Sequence, residues 1–175
     1  RDEIRRQNIE LEQLASQDPL TSCLNRRAFF TELEEQWSSA MKEDRPLACI
    51  MIDLDHFKMI NDKHGHQSGD MVLKTAARLI RTGQRAGDLV CRYGGEEFCI
   101  ALPNGDLEAA STVAEKIRAK LEAHNFSGLS VTASIGVSAT SLGASDPESM
   151  IDQADKCLYI AKDAGRNQVV RFDEA

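Results

Sequence analysis

The sequence has 175 residues, 42% of them hydrophobic and 28% charged, with a formal net charge of -7. That length and balance fit one globular domain with a proper core and a short appendage. A surface so acidic repels polyanions and argues against a nucleic acid polymer as partner, while metal ions and a few placed cations still permit small phosphates.

Residues 1–15 are highly charged and carry Ile4, Leu11 and Leu14 near heptad spacing. This predicts the end of a helical stalk, either a coiled coil or a solvated helix docked on its own domain. Pro19 disfavours helical geometry at Asp18, so the boundary falls there, with a stalk over 1–17 and a domain over 18–175. A chain beginning at Arg1 rather than Met reads as an excised fragment, with an upstream sensor region expected in its parent. Residues 25–42 place Phe29, Phe30, Leu33 and Trp37 at helical spacing. The nearly continuous apolar run over 47–54 predicts a strand buried on both faces. Helices are expected near 57–63 and 70–82. Strands over 89–93 and 97–102 flank Gly94-Gly95, the signal of a tight hairpin. A helix over 107–123, a strand over 131–139, a helix over 147–164 and a short strand over 169–172 complete the chain. The order predicts an α/β fold, an α+β sandwich with a mixed central sheet and flanking helices.

Cys23, Cys49, Cys91, Cys99 and Cys157 form no CxxC pair, so neither a disulfide framework nor a zinc site is indicated. No run is long and apolar enough to cross a bilayer, and the expected location is the cytoplasm, with a membrane-anchored parent left open.

Carboxylates gather where the buried strands run out, at Asp53, Asp55, Glu96 and Glu97. Hard cations such as Mg²⁺ prefer carboxylate oxygens and bridge through them to substrate phosphates. Strand alternation argues that Glu96 and Glu97 do not both face one metal, so Glu96 joins Asp53 and Glu97 takes a nearby role. Asp55 is placed to cap the helix that starts at Phe57. By itself, Gly94-Gly95 followed by acids also fits an ordinary hairpin.

Taken together, four segments resemble the GGDEF domain family, the bacterial diguanylate cyclases. Arg92-Tyr93-Gly94-Gly95-Glu96-Glu97-Phe98 resembles its signature in the GGEEF form, and Asp18-Pro19-Leu20-Thr21 with Leu24-Asn25-Arg26-Arg27 its opening motif. The run from Asp53 to Asp62, followed by Gly65-His66 and Gly69-Asp70, resembles its nucleotide-binding stretch; Lys162 and Gly165-Arg166-Asn167 resemble its closing motif. The resemblance implies a fold related to nucleotide cyclases and polymerase palms. It implies condensation of two GTP into cyclic di-GMP and pyrophosphate, by a homodimer whose domains meet face to face. It also implies two Mg²⁺ per site, with Mn²⁺ as a substitute, held by Asp53, Glu96 and the Leu54 carbonyl.

On that resemblance Asn61 and Asp70 read guanine, Phe57 and Lys58 line the nucleotide, and Gly94 and Gly95 let the backbone approach the triphosphate. Locally, Asn61 also suits a turn and Asp70 the first turn of a helix. Lys162 and Arg166, spaced i, i+4, are expected on one helix face as phosphate ligands, or else as two solvated cations. Arg85-Ala86-Gly87-Asp88 has the RxxD pattern of the family's inhibitory product site, with Lys116 as a helper cation; a local Arg–Asp pair is the simpler alternative. A catalytically silent receptor for GTP or cyclic di-GMP is the competing function. A phosphoacceptor receiver built on Asp53 is contradicted by the hairpin, since receivers need regularly alternating βα units.

Overall fold

A computed structural model describes the backbone of all 175 residues and every side chain except those of Gln13 and Leu14. Leu14, one of the three heptad positions, therefore lies outside the described side chains.

Helix α1 (Asp2–Ser16) leaves Ile4, Ile9 and Leu11 exposed. Its end is fastened to the domain through carbonyls that no helical N–H can reach. Asn25 Nδ2 and Arg27 Nη2 donate to Ala15 O at 2.8 and 3.0 Å. The Asp18–Thr21 turn follows, where Asp18 Oδ2 accepts from the Thr21 amide at 2.9 Å and hydroxyl at 2.7 Å. Asn25 then caps α2 (Arg26–Glu43) by accepting from the Ala28 amide, and α2 buries Phe29 and Leu33 completely.

Strand β1 (Leu47–Leu54) is the sheet's middle and is buried along its whole length. Among the described residues the strands form one five-stranded sheet in the order β2-β3-β1-β4-β5. β2 (Leu89–Arg92) and β3 (Glu97–Pro103) form the expected hairpin, and β3 and β4 (Ala133–Ala139) both run antiparallel to β1. β5 (Val169–Arg171) lies parallel to β4, so the sheet is mixed.

Period-two alternation sorts β1 between two cores. Ala48, Ile50 and Ile52 belong to the cluster built with α3 (Phe57–His64), α4 (His66–Arg81) and α5 (Leu107–Ala123). Leu47, Cys49 and Met51 pack with α2 and α6 (Pro147–Asp163). Asp53, next in the odd series, therefore emerges on the α6 side. A Cβ at Gly136 of β4 would lie 1.9 Å from the Ala154 carbonyl, so only glycine lets α6 lie this close to the sheet.

Two local expectations change. The second helix of the nucleotide stretch begins at His66 rather than Asp70, because α3 and α4 abut at Gly65 with no intervening loop. Asp55 does not cap α3: the cap position is His56, without a side-chain cap bond, and Asp55 is buried against β4 instead.

Candidate active site

The acidic centre forms where β1, β3 and α6 end together. Asp53 lies directly opposite Glu97 in the β1–β3 register, so both side chains leave the same face of the sheet. Glu96 sits in the turn before β3, and its carbonyl accepts from the Leu54 amide at 3.2 Å. Alternation consequently does not govern Glu96, and the charges of both glutamates act on Asp53. The Lys162 ammonium, from the last turn of α6, lies 2.7 Å from Asp53 Oδ2.

Burial, opposed by Lys162 and reinforced by Glu96 and Glu97, pushes Asp53 up to about 6. Glu97 is also raised, by burial and then by Asp155, against the pull of Lys162. Burial alone would lower Lys162, but its bond to Asp53 and the glutamate charges raise it on balance. One ammonium under-neutralises three carboxylates. Among the described residues no three His, Cys, Asp or Glu side chains converge as a ready metal cage, and Lys162 stands where a cation would be drawn. The donor chemistry, all carboxylate and carbonyl oxygen, nevertheless fits a hard divalent ion.

Beside this centre is a cavity of about 490 Å³, lined by Phe57, Lys58, Asn61, His66, Asp70, Leu73, Arg92, Gly95 and Glu96. It thus collects most of the expected nucleotide residues. Asn61 lies inside α3 and is no turn former, and Asp70 is the fifth residue of α4, beyond the first turn where a helix dipole would explain it. Gly69 keeps the approach open, since a Cβ there would sit 1.8 Å from Asn61 Oδ1. Gly94 and Gly95 both have φ outside the left-handed region, and a Cβ at Gly95 would meet nothing within 4 Å. The hairpin's own conformation does not demand glycine at Gly95, which leaves space for something that approaches from outside.

Two arginines that sequence reasoning left without a role brace this hairpin. Arg92 donates to Gly95 O at 2.9 Å and reaches Asp18 Oδ1 at 3.2 Å. Arg26 donates to the Tyr93 hydroxyl at 3.0 Å, with its guanidinium 4.1 Å from the Tyr93 ring centre. A cation within the signature and another just inside α2 were the available signals.

Arg166 departs from expectation. Helix α6 ends at Asp163, and Gly165 (φ 121°) turns the chain so that Gly165 N and Arg166 N bond back to Lys162 O and Ala161 O, at 3.4 and 2.9 Å. This is a Schellman termination, so Arg166 does not share a helix face with Lys162. Its side chain is exposed on the corner after α6.

Arg85 and Asp88 line a second cavity of about 520 Å³, with Arg81, Gln17, Ser22 and Cys23. Asp88 Oδ2 accepts from the Arg85 amide at 2.9 Å, and the Asp88 side chain is only 4% exposed. Lys116 is exposed on α5 and does not line this cavity; Lys120, one turn later, donates to Leu79 O near the end of α4.

The fold is a mixed α/β domain with a carboxylate centre at the ends of its interior strands β1 and β3, beside an open cavity. Residues 15–168 match the family model described as "Diguanylate cyclase, GGDEF domain", and the chain belongs to that family. It is 42% identical over 166 residues, 91% of this chain, to the probable diguanylate cyclase DgcT of Escherichia coli. It is likewise 42% identical over 164 residues to the response regulator PleD of Caulobacter vibrioides, covering 90% of this chain. The chain spans 36% of the length of each of these relatives. The coiled coil and GGDEF domain of DgcB from Caulobacter crescentus, solved with c-di-GMP, superposes with a TM-score of 0.91 at 28% identity, covering 97% of this chain and 92% of that one. An active GGEEF domain of a diguanylate cyclase from Vibrio cholerae superposes with a TM-score of 0.81 at 35% identity, covering 87% and 99%.

Proposed function

We propose that this chain condenses two GTP molecules into cyclic di-GMP and pyrophosphate. The observation that carries the reading is the single cavity joining Asn61 and Asp70 to Gly95 and Glu96, beside the Asp53–Lys162 pair. Guanine presents N1–H and N2–H₂ donors that a carboxylate at position 70 accepts, and adenine offers no such pair. An unmatched base would leave that acceptor unsatisfied, at a cost of about 1–3 kcal/mol.

Each domain holds one GTP, so the reaction needs two copies face to face. The 3′-oxygen of each GTP forms a bond to the α-phosphorus of the other. The bond from that phosphorus to the β-phosphate bridging oxygen breaks, pyrophosphate departs, and the hydroxyl proton is lost. Catalysis of such a transfer is mostly positioning and charge neutralisation. Asp53, Glu96 and the Leu54 carbonyl would hold two Mg²⁺, or Mn²⁺ in their place, supplying Lewis-acid neutralisation of phosphate oxygens and a lower pKa for the attacking hydroxyl. Lys58, Lys162 and Arg166 meet the phosphates from the protein side. Glycine at 94 and 95 lets the chain come close to them. Glu97, opposite Asp53, supports the centre.

Product cyclic di-GMP binds at Arg85 and inhibits; the buried Asp88 chiefly holds the turn that presents that arginine. The exposed Ile4, Ile9 and Leu11 of α1 suit a stalk over 1–17 that pairs two copies under an upstream sensor domain, with the catalytic domain in the cytoplasm. No helix among the described residues is long and apolar enough to cross a membrane. The deciding experiment incubates the protein with GTP and Mg²⁺ and separates the products. Cyclic di-GMP with pyrophosphate is expected. GTP binding without product, even at high protein concentration, would make the chain a receptor.

A further inference from the structure

We propose that Asp55 is a positioning residue for the triphosphate, acting by fastening the corner from which Arg166 projects. The proposal rests on the reading above in which Arg166 binds phosphate.

Asp55 follows β1 directly and is 5% exposed. Its Oδ1 accepts from the Ser134 hydroxyl at 2.6 Å, and its Oδ2 from the Thr132 hydroxyl at 2.7 Å and the Asn167 amide at 3.0 Å. Its own amide donates to Thr132 O at 2.9 Å. One buried carboxylate therefore ties the end of β1 to β4 and to the corner after α6. All three groups bonded to the carboxyl, two hydroxyls and one backbone amide, donate to it.

That corner needs a tie. Arg166 and Asn167 both lie in the left-handed region, with φ 65° and 47°. Asparagine visits it readily, but arginine pays a steric cost there and stays only where its surroundings over-determine it. The Schellman bonds of α6 hold the corner from one side. Asp55 holds it from the other through the Asn167 amide, and Arg118 Nη1 adds a bond to Asn167 Oδ1 at 3.0 Å. Since the Arg166 guanidinium is exposed, the backbone it hangs from sets its direction. Asp55 is not among the residues that line the base-reading cavity, so the base and the phosphates are held by separable parts.

The test compares equilibrium binding of 3′-deoxy-GTP, which lacks the attacking hydroxyl, with binding of GMP, both with Mg²⁺. Asp55→Ala is expected to weaken 3′-deoxy-GTP roughly tenfold or more while leaving GMP nearly unchanged. Asp55→Asn, which can turn its carbonyl toward Thr132 and Asn167, should recover most of the loss. Added to Arg166→Ala, Asp55→Ala should cause no further weakening. Equal loss for both nucleotides, or none for either, overturns the proposal. Should Arg166→Ala itself leave 3′-deoxy-GTP binding intact, the phosphate reading of Arg166 fails instead. If Asp55→Ala does not fold by circular dichroism, Thr132→Val decides in the same assay, with selective loss for the triphosphate in favour and equal or no loss against.

Discussion

The Oδ1 atom of Asn61 occupies the space where a side chain at Gly69 would begin, 1.8 Å from the position of its missing Cβ. Helices α3 and α4 thus pack beside the cavity with no room for a Cβ at position 69. Gly69→Ala must push the Asn61 amide aside, which is cheap for folding because only the end of a side chain moves. GMP affinity should fall by about 1–3 kcal/mol, with little change in Tm. Isothermal titration and a thermal melt check both halves, and in an Asn61→Ala background the glycine change should have no further effect on affinity.

Asp53 yields a prediction about pH. Its folded pKa of about 6 stands above the unfolded value of 3.8, so the folded state binds this proton more tightly. With the metal chelated, this group's contribution is least unfavourable at low pH, and stability is lost as pH rises from about 4 through 6. The span amounts to ~3 kcal/mol. Asp53→Asn, which mimics the protonated form, should be more stable than the wild type above pH 6 and converge with it below about pH 4. Urea denaturation across that range, with chelator present, measures the difference.

Arg92 joins the turn carbonyl of Gly95 to Asp18 at the end of the stalk junction. Burial alone would raise Asp18, but its bonds to Thr21 and the nearby Arg92 hold it below the usual carboxylate range. Arg92→Ala should destabilise by about 1–2 kcal/mol, and less in an Asp18→Ala background. The coupling should be present above the ordinary carboxylate pKa and vanish as acid protonates Asp18. A double-mutant cycle by chemical denaturation at neutral and acidic pH reads it out.

At the second cavity, Arg85 and Asp88 should behave differently. The Arg85 side chain is 63% exposed, whereas Asp88 is nearly closed off and holds the Arg85 amide. Arg85→Ala should relieve product inhibition with a stability change within about 0.5 kcal/mol. Asp88→Ala should lower Tm as well, through loss of the turn's internal bond, worth about 1 kcal/mol. Initial rates at rising cyclic di-GMP, together with thermal melts, separate the two. Equal inhibition of wild type and Arg85→Ala would remove the inhibitory assignment.

Much of this was legible in the order of residues. The apolar run at 47–54 could only be a strand covered on both faces, and Asp53 at its end needed a partner because a buried carboxylate is costly alone. Gly94-Gly95 between two strand-like runs marked the hairpin, and the helix predicted over 107–123 matches α5 residue for residue. These depend on periodicity and local backbone preference, which neighbours along the chain determine. The partner of Asp53, the left-handed corner that removes Arg166 from α6, and the diversion of Asp55 from a helix cap to β4 do not. Each depends on which strand lies beside which and on how closely Gly136 lets α6 approach the sheet. Hydrogen bonds between residues 77 to 112 positions apart leave no trace in local spacing, so only the tertiary structure decided them.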